Sequence, residues 1–432
     1  MSAYYIVIAA CLIIILSYGF SLIARRTSIP SVLMLIGLGI IIKAVLKSFS
    51  AEEIDLFPFL EVLGIVGLIL IVLEAALDLR ITREKRGLIL RAFVLAISSL
   101  VVNSVLISSI LMVYLNADFF HCMIYAIPLS IASSAIIIPS VSTLPEKNRE
   151  FMIYESAFSD ILGIIFFYFL IQTAEMSGFG EISISLLLNI LLTLVVSLAF
   201  SLGIIFLFPR IQSDAKFFLL IAVLILLYAI GKLFHLSSLV IIMIFGLILE
   251  NRRLFASKGI FRRIDQEAVN GIYGDLRLIT IESSFTVRTF FFVIFGMTII
   301  LSSLYNLQVI VVSLMILIVL FGFRYGIFRL FMKKNIMPEA FISPRGLITL
   351  LLFYSIPDEF KVGGFNPSVL LFVIIISSII MAVALIKSRR AKEQLLTSGT
   401  VAESNGNDVQ ATALQGDEQA NNETIGDDHA ID

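Results

Sequence analysis

Apolar residues run in long blocks separated by short polar groups, and a block of about 17 to 25 residues is what one helix needs to cross a hydrocarbon core. Cutting the chain at its polar groups predicts thirteen spans, at 4–23, 30–46, 59–77, 88–115, 122–143, 151–173, 183–208, 217–233, 237–250, 287–304, 308–331, 340–357 and 367–387. The pattern predicts an all-α polytopic membrane protein. The first block starts almost at Met1 with no positively charged stretch before it and no small-residue cleavage site after it, so it reads as a retained helix and not a signal peptide. Residues 251–282 read as a longer connection, partly helical and interfacial. The chain divides into a transmembrane domain over 1–390 and a tail over 391–432, which is rich in Gly, Asn, Gln, Asp and Glu with little to bury and is expected to be disordered.

Composition agrees with that reading. Of 432 residues, 59% are hydrophobic and 15% charged, against about a quarter charged in soluble globular proteins. The formal charge of -1 hides an asymmetry: nine acids and no Lys or Arg lie from Glu393 onward, while the rest carries 23 acids against all 31 basic groups, a net of +8. The basic groups sit in short clusters between apolar blocks, as membrane topology requires and as a nucleic-acid face does not. With the N-terminus outside, 23 of them fall on the cytoplasmic side and only Lys43, Lys47, Lys232 and Lys361 opposite. That bias predicts N-terminus out and C-terminus in, and the membrane is expected to be the plasma (inner) membrane of a prokaryotic-type cell. Cys11 and Cys122 give neither a disulfide framework nor a thiolate metal site.

Ionisable side chains at mid-membrane cost from about 2.5 to more than 10 kcal/mol, so each is a candidate functional residue. In the sixth span Asp160 lies about 13 Å along the helix from Phe151, near the bilayer middle. Ser156 and Asp160 share one face, and Glu155 and Ser159 an adjacent one. One face offers oxygen ligands to a partly dehydrated cation; the other offers a carboxylate for a structural ion pair. In the twelfth span Pro344 and Gly346 flank Arg345, where a helix would break, and Glu155 is the expected partner of Arg345; the plainer alternative is an arginine snorkelling to the surface. In the fifth span Ser130, Ser133, Ser134 and Pro139 point to a second break, although serines also serve close helix packing. Two broken helices in different halves of a chain point to the midplane site of a secondary transporter. Glu74, deep in the third span, is expected to pair with Arg324 or Arg288, and Asp78 to lie at the interface.

These residues resemble a family. Glu155-Ser-Ala-Phe-Ser-Asp160-Ile-Leu-Gly163 resembles the E-S-x-x-N-D-x-x-G signature of the monovalent cation/proton antiporters of the sodium/hydrogen exchanger type. Leu73-Glu74-Ala-Ala-Leu77-Asp78-Leu79 resembles their F-E-A-G-L-x-L-D-L run, and Ser343-Pro344-Arg345-Gly346 their P-R-G or L-R-G motif. The order and spacing agree over roughly residues 5 to 388. The resemblance implies two inverted repeats, broken and crossing fifth and twelfth helices, and a homodimer. It implies that Asp160 binds cation and proton alternately, that Ser156 and Ser133 help ligate the cation, and that Glu155 pairs with Arg345. Ser159 stands where the family has Asn, and Ser134-Ala135 where it has the Asp-Pro of a T-D-P motif.

A carboxyl group in a low-dielectric cavity is neutralised more readily than in water, by a proton or by a cation. If only the neutralised forms cross, one monovalent cation exchanges for one proton. With Glu155 and Arg345 cancelling and Ser134 unable to titrate, the expected exchange of Na⁺ or K⁺ for H⁺ is electroneutral and needs no cofactor. The rivals are a cation channel and a non-transporting membrane sensor on the same fold. A membrane-embedded hydrolase would need a Ser with a His or Lys base, or paired Asp residues, and the sequence offers no such arrangement.

Overall fold

The computed structural model describes residues 3–27, 29–48, 57–82, 84–174, 195–200, 203, 216–233, 238–251, 266–299, 306–332 and 336–390. Its helices are α1 (Ala3–Thr27), α2 (Ser31–Ser48), α3 (Phe57–Asp78), α4 (Arg86–Leu115), α5 (Phe119–Ser130), α6 (Ser134–Ser140) and α7 (Glu146–Ala174). They continue as α8 (Lys216–Leu233), α9 (Ser238–Glu250), α10 (Gln266–Thr298), α11 (Leu307–Met332), α12 (Leu347–Tyr354) and α13 (Ser368–Arg390). Among the described residues eight helical spans are long and apolar enough to cross a membrane, with α5 and α6 together forming one of them. Most of the predicted seventh span and the whole of 391–432 lie outside the described residues.

Most predicted spans agree with helices to within a few residues, because polar groups end the apolar blocks where the backbone leaves the helix. The tenth span departs from its predicted start at 287. The helix already runs from Gln266, through part of the segment read as a connection. Arg277, Ser284 and Arg288 recur at i, i+7 and i+11, which puts them on one stripe. Partners on α3 answer that stripe, so the charges do not end the helix.

Two groups of helices pack side by side. The first joins α1, α2, α3, α8, α9 and α10; the second joins α4 to α7 with α11 and α12. Close approach holds the first group: a Cβ on Gly296 would lie 2.4 Å from the Ile36 carbonyl oxygen, so α2 and α10 meet backbone to backbone. Ser17 of α1 and Thr289 of α10 share a buried hydroxyl hydrogen bond of 2.7 Å. Asn251 ties the end of α9 to that of α3, donating to the Leu79 carbonyl at 2.9 Å and accepting from the Ile81 N–H at 2.7 Å. Between the groups α3 contacts α7 and α12, and α1 contacts α6.

Candidate ion site

Both expected breaks are present. Between α5 and α6 the backbone is extended at Ile131 and Ser133, and before α12 residues 342–346 are non-helical after a short turn at Glu339–Phe341. The two interruptions meet. The Ser133 N–H donates to the Pro344 carbonyl at 2.9 Å, and a Cβ on Gly346 would lie 2.5 Å from Ser133 Oγ. Any larger residue at 346 would have to push the two segments apart. Non-helical backbone is tolerated at membrane depth only where protein or a water-filled cavity satisfies it; here each break supplies part of the other's hydrogen bonding.

Arg345 supplies more. Its Nε donates to the Leu129 carbonyl at 2.8 Å, Nη2 to the Ser130 carbonyl at 3.2 Å and Nη1 to both oxygens of Ser343 at 2.6 Å, while its backbone N–H donates to Ser377 Oγ at 3.0 Å. Leu129 and Ser130 are the last residues of α5, whose terminal carbonyls have no intrahelical partner and carry the negative end of the helix dipole. The expected Glu155–Arg345 pair is therefore absent, because the half-helix end beside Arg345 takes its donors. Glu155 is bound instead by Arg324 of α11 through both oxygens, at 2.5 and 2.8 Å, with both residues 1% exposed. Arg324 also donates to the Glu339 carbonyl at 3.3 Å and lies over the Phe328 ring.

Asp160 is held differently. It is 1% exposed, its Oδ2 accepts the Ser134 N–H at 3.1 Å, and its Oδ1 has no hydrogen-bond partner. Ser134 is the first residue of α6, so the carboxylate faces unpaired N–H groups at a helix start, which favour an anion. The neighbouring Ser133 hydroxyl is also buried without a partner. Ser159 accepts the Ala132 N–H at 2.9 Å and so fixes the break, and Ser156 donates to the Ile153 carbonyl of its own helix at 3.1 Å. Asp160 and Ser134 are thus in direct contact. Ser159 supports the break through the Ala132 N–H, and Ser156 turns its proton back along α7.

A cavity of about 480 Å³ reaches Ser134 and Ala135 from the end where α1 joins α2, with Glu74, Asp78, Arg277 and Arg288 in its wall. Glu74 accepts from Arg288 Nη2 at 3.0 Å and from Ser284 Oγ at 2.6 Å, which selects Arg288 from the two expected partners. Asp78 pairs with Arg277 at 2.8 Å. The half formed by α5, α12 and the segment after α12 is packed with rings: Tyr125 lies 4.7 Å from Phe365 and 5.8 Å from Phe353 between centroids. Sequence reasoning missed Glu339, which is 2% exposed and accepts from Asn148 Nδ2 at 2.6 Å. It lies at the edge of an apolar block, where a carboxylate reads as interfacial.

The family described as sodium/hydrogen exchanger, transmembrane, matches residues 9–387. No curated protein matches in sequence. Among solved structures, the sodium proton antiporter MjNhaP1 from Methanocaldococcus jannaschii at pH 8 is similar, with a TM-score of 0.61 at 20% identity, covering 89% of this chain and 99% of that one. A second structure of the same antiporter, from electron microscopy, gives a TM-score of 0.60 at 19% identity, covering 92% of this chain and 97% of the other. At these identities the likeness is one of fold.

Proposed function

This chain belongs to the sodium/hydrogen exchanger family, an integral membrane family of transporters and not of enzymes, and on that premise we propose that it exchanges a monovalent cation, Na⁺ or K⁺, for H⁺ at Asp160. The observation that carries the reading is the bare Oδ1 of Asp160, buried beside two crossing helix breaks and bound on its other oxygen to Ser134, the residue at which the cavity ends. A proton on that oxygen and a cation against it are mutually exclusive ways to neutralise one charge. The Ser133 hydroxyl is the second free oxygen donor in the same crossing, with Ser134, Ser156 and Ser159 as the remaining candidate ligands. The empty anion is stabilised by the Ser134 N–H and the start of α6, so it stays put until one of the two species loads it.

Of the other buried charges, Glu339 is held through one oxygen by Asn148. Arg324 and Glu155 cancel, and Arg345 is spent on the carbonyl end of α5. Either loaded form then carries the same charge, and the exchange is one for one and electroneutral. Alternating access follows if the group containing α5 to α7 and α12 moves against the group containing α3 and α10. The two broken segments would be equivalent members of two inverted repeats, and the first helix group would face a second copy in a homodimer. The cavity opens toward the connections that carry the basic residues, which we take as cytoplasmic.

Proteoliposomes test the reading. Adding Na⁺ should dissipate an imposed proton gradient at a rate that does not change with membrane potential. A rate that follows the imposed potential would overturn the stoichiometry, and cation flux without proton counterflow would make the protein a channel. Repeating the scan with K⁺ and Li⁺ assigns the ion.

A further inference from the structure

Arg288 is a partly buried cation in the wall of the cavity through which a cation has to pass, yet nothing in the exchange at Asp160 calls for it. Its surroundings are specific. Pro139 has no N–H, so the Ala135 carbonyl four residues earlier loses its helical partner. Arg288 Nη1, reaching across from α10, donates to that carbonyl at 3.2 Å. Ala135 is the next residue after Ser134, whose N–H binds Asp160. On its other branch the same guanidinium meets Glu74 through Nη2, at 3.0 and 3.3 Å, and Ser284 Oγ donates to Glu74 Oε2 at 2.6 Å. One planar fork thus spans α3, α10 and α6, with Glu74 and Arg288 both near one-fifth exposed in the cavity wall.

We propose that Arg288 is a positioning residue for the ion site: it holds the Ala135 carbonyl, and through it the Ser134 N–H over Asp160, while Glu74 fixes the fork and cancels its charge along the cation's path. The inference rests on the exchange at Asp160 set out above. Two properties separate in it. Geometry is set by the fork, which an ammonium cannot reproduce because it lacks two planar branches. Charge is set by the Glu74–Arg288 pair, with Asp78 and Arg277 cancelling nearer the surface in the same wall.

Initial rates in proteoliposomes with Na⁺ as the probe separate the two. Glu74→Gln leaves Arg288 uncompensated beside the path, and the Na⁺ KM should rise about three- to tenfold by repulsion at close range. Adding Arg288→Gln to Glu74→Gln removes that charge, and KM should return to within about twofold of wild type while Vmax stays low, because the hold on Ala135 is gone. Arg288→Lys keeps the charge and loses the fork, so Vmax should fall with KM near the wild-type value. A purely structural pair would instead make the double variant no better than Glu74→Gln, with KM unmoved throughout, and that result would overturn the proposal. Should Glu74→Gln fail to fold, Ser284→Ala loosens the same carboxylate more gently; a raised KM supports the proposal and an unchanged one overturns it. Asp160→Asn belongs in the same series. If wild type shows no Na⁺-coupled proton flux, the exchange itself falls and this inference with it. If wild type exchanges and Asp160→Asn does not, but the KM pattern is absent, only the role of Arg288 falls.

Discussion

Glu155 and Asp160 stand five residues apart on α7, equally buried at 1% exposure, and the structure treats them in opposite ways. Glu155 has both oxygens taken by the guanidinium of Arg324, and the pair is sealed. Asp160 has one oxygen on a backbone N–H and the other bare. The cost of burying a carboxylate is met for Glu155 by a fixed counter-charge, and for Asp160 only in part, by N–H groups at the start of α6. A carboxylate with a fixed counter-charge ties α7 to α11. One without it is open to neutralisation by something that arrives and leaves, which is the property the proposed exchange requires of Asp160.

The largest effect expected from this contrast is on transport. Asp160→Asn keeps the shape and the Ser134 contact but removes the charge, and Na⁺-coupled proton flux in proteoliposomes should fall by at least about 100-fold with little change in thermal stability. Arg324→Met does the reverse. It strands the Glu155 charge in the interior and should cost about 3–5 kcal/mol, read as a large drop in unfolding temperature, with most of the loss restored by adding Glu155→Gln. Gly346→Ala comes next. The new methyl group has to displace Ser133 at the crossing, and about 1–3 kcal/mol of stability should be lost together with part of the exchange rate.

The smallest effect lies at the surface. The ion pair joins Lys85, just before α4, to Glu150 in the first turns of α7, and Glu150 raises the Lys85 ammonium above its ordinary 10.5. A raised value in the folded state means that the pair's stabilisation is present below pH 10.5 and is lost only as pH climbs through the raised value. Because Lys85 is 39% exposed, Glu150→Gln should cost less than about 1 kcal/mol in a thermal melt near neutral pH. A larger loss there would mean that surface pairs, and not the buried contrast, govern stability.

The two helix breaks were legible in the sequence because Pro, Gly and clustered Ser in an apolar block are local signals, as at Ser133–Ser134 and Pro344–Gly346. The place of Asp160 was legible too, from its depth along one helix. The partner of Glu155 was not. Arg324 and Arg345 are both intramembrane arginines more than 160 residues away in sequence, and their assignment depends on which one the open end of α5 captures. The same limit hid the start of α10: its charges look like a loop until Glu74 and Asp78 are placed opposite them. The carbonyl freed by Pro139 was visible in the sequence, but not the arginine that takes it.

Competition at one carboxylate is most directly measured as protons released when a cation binds to the solubilised protein, followed by calorimetry in buffers of different ionisation enthalpy. At a pH where Asp160 is protonated, binding of Na⁺ should release close to one proton per ion, and the release should vanish in Asp160→Asn. Cation binding that liberates no proton at any pH, or that liberates the same number in Asp160→Asn, would contradict a shared site.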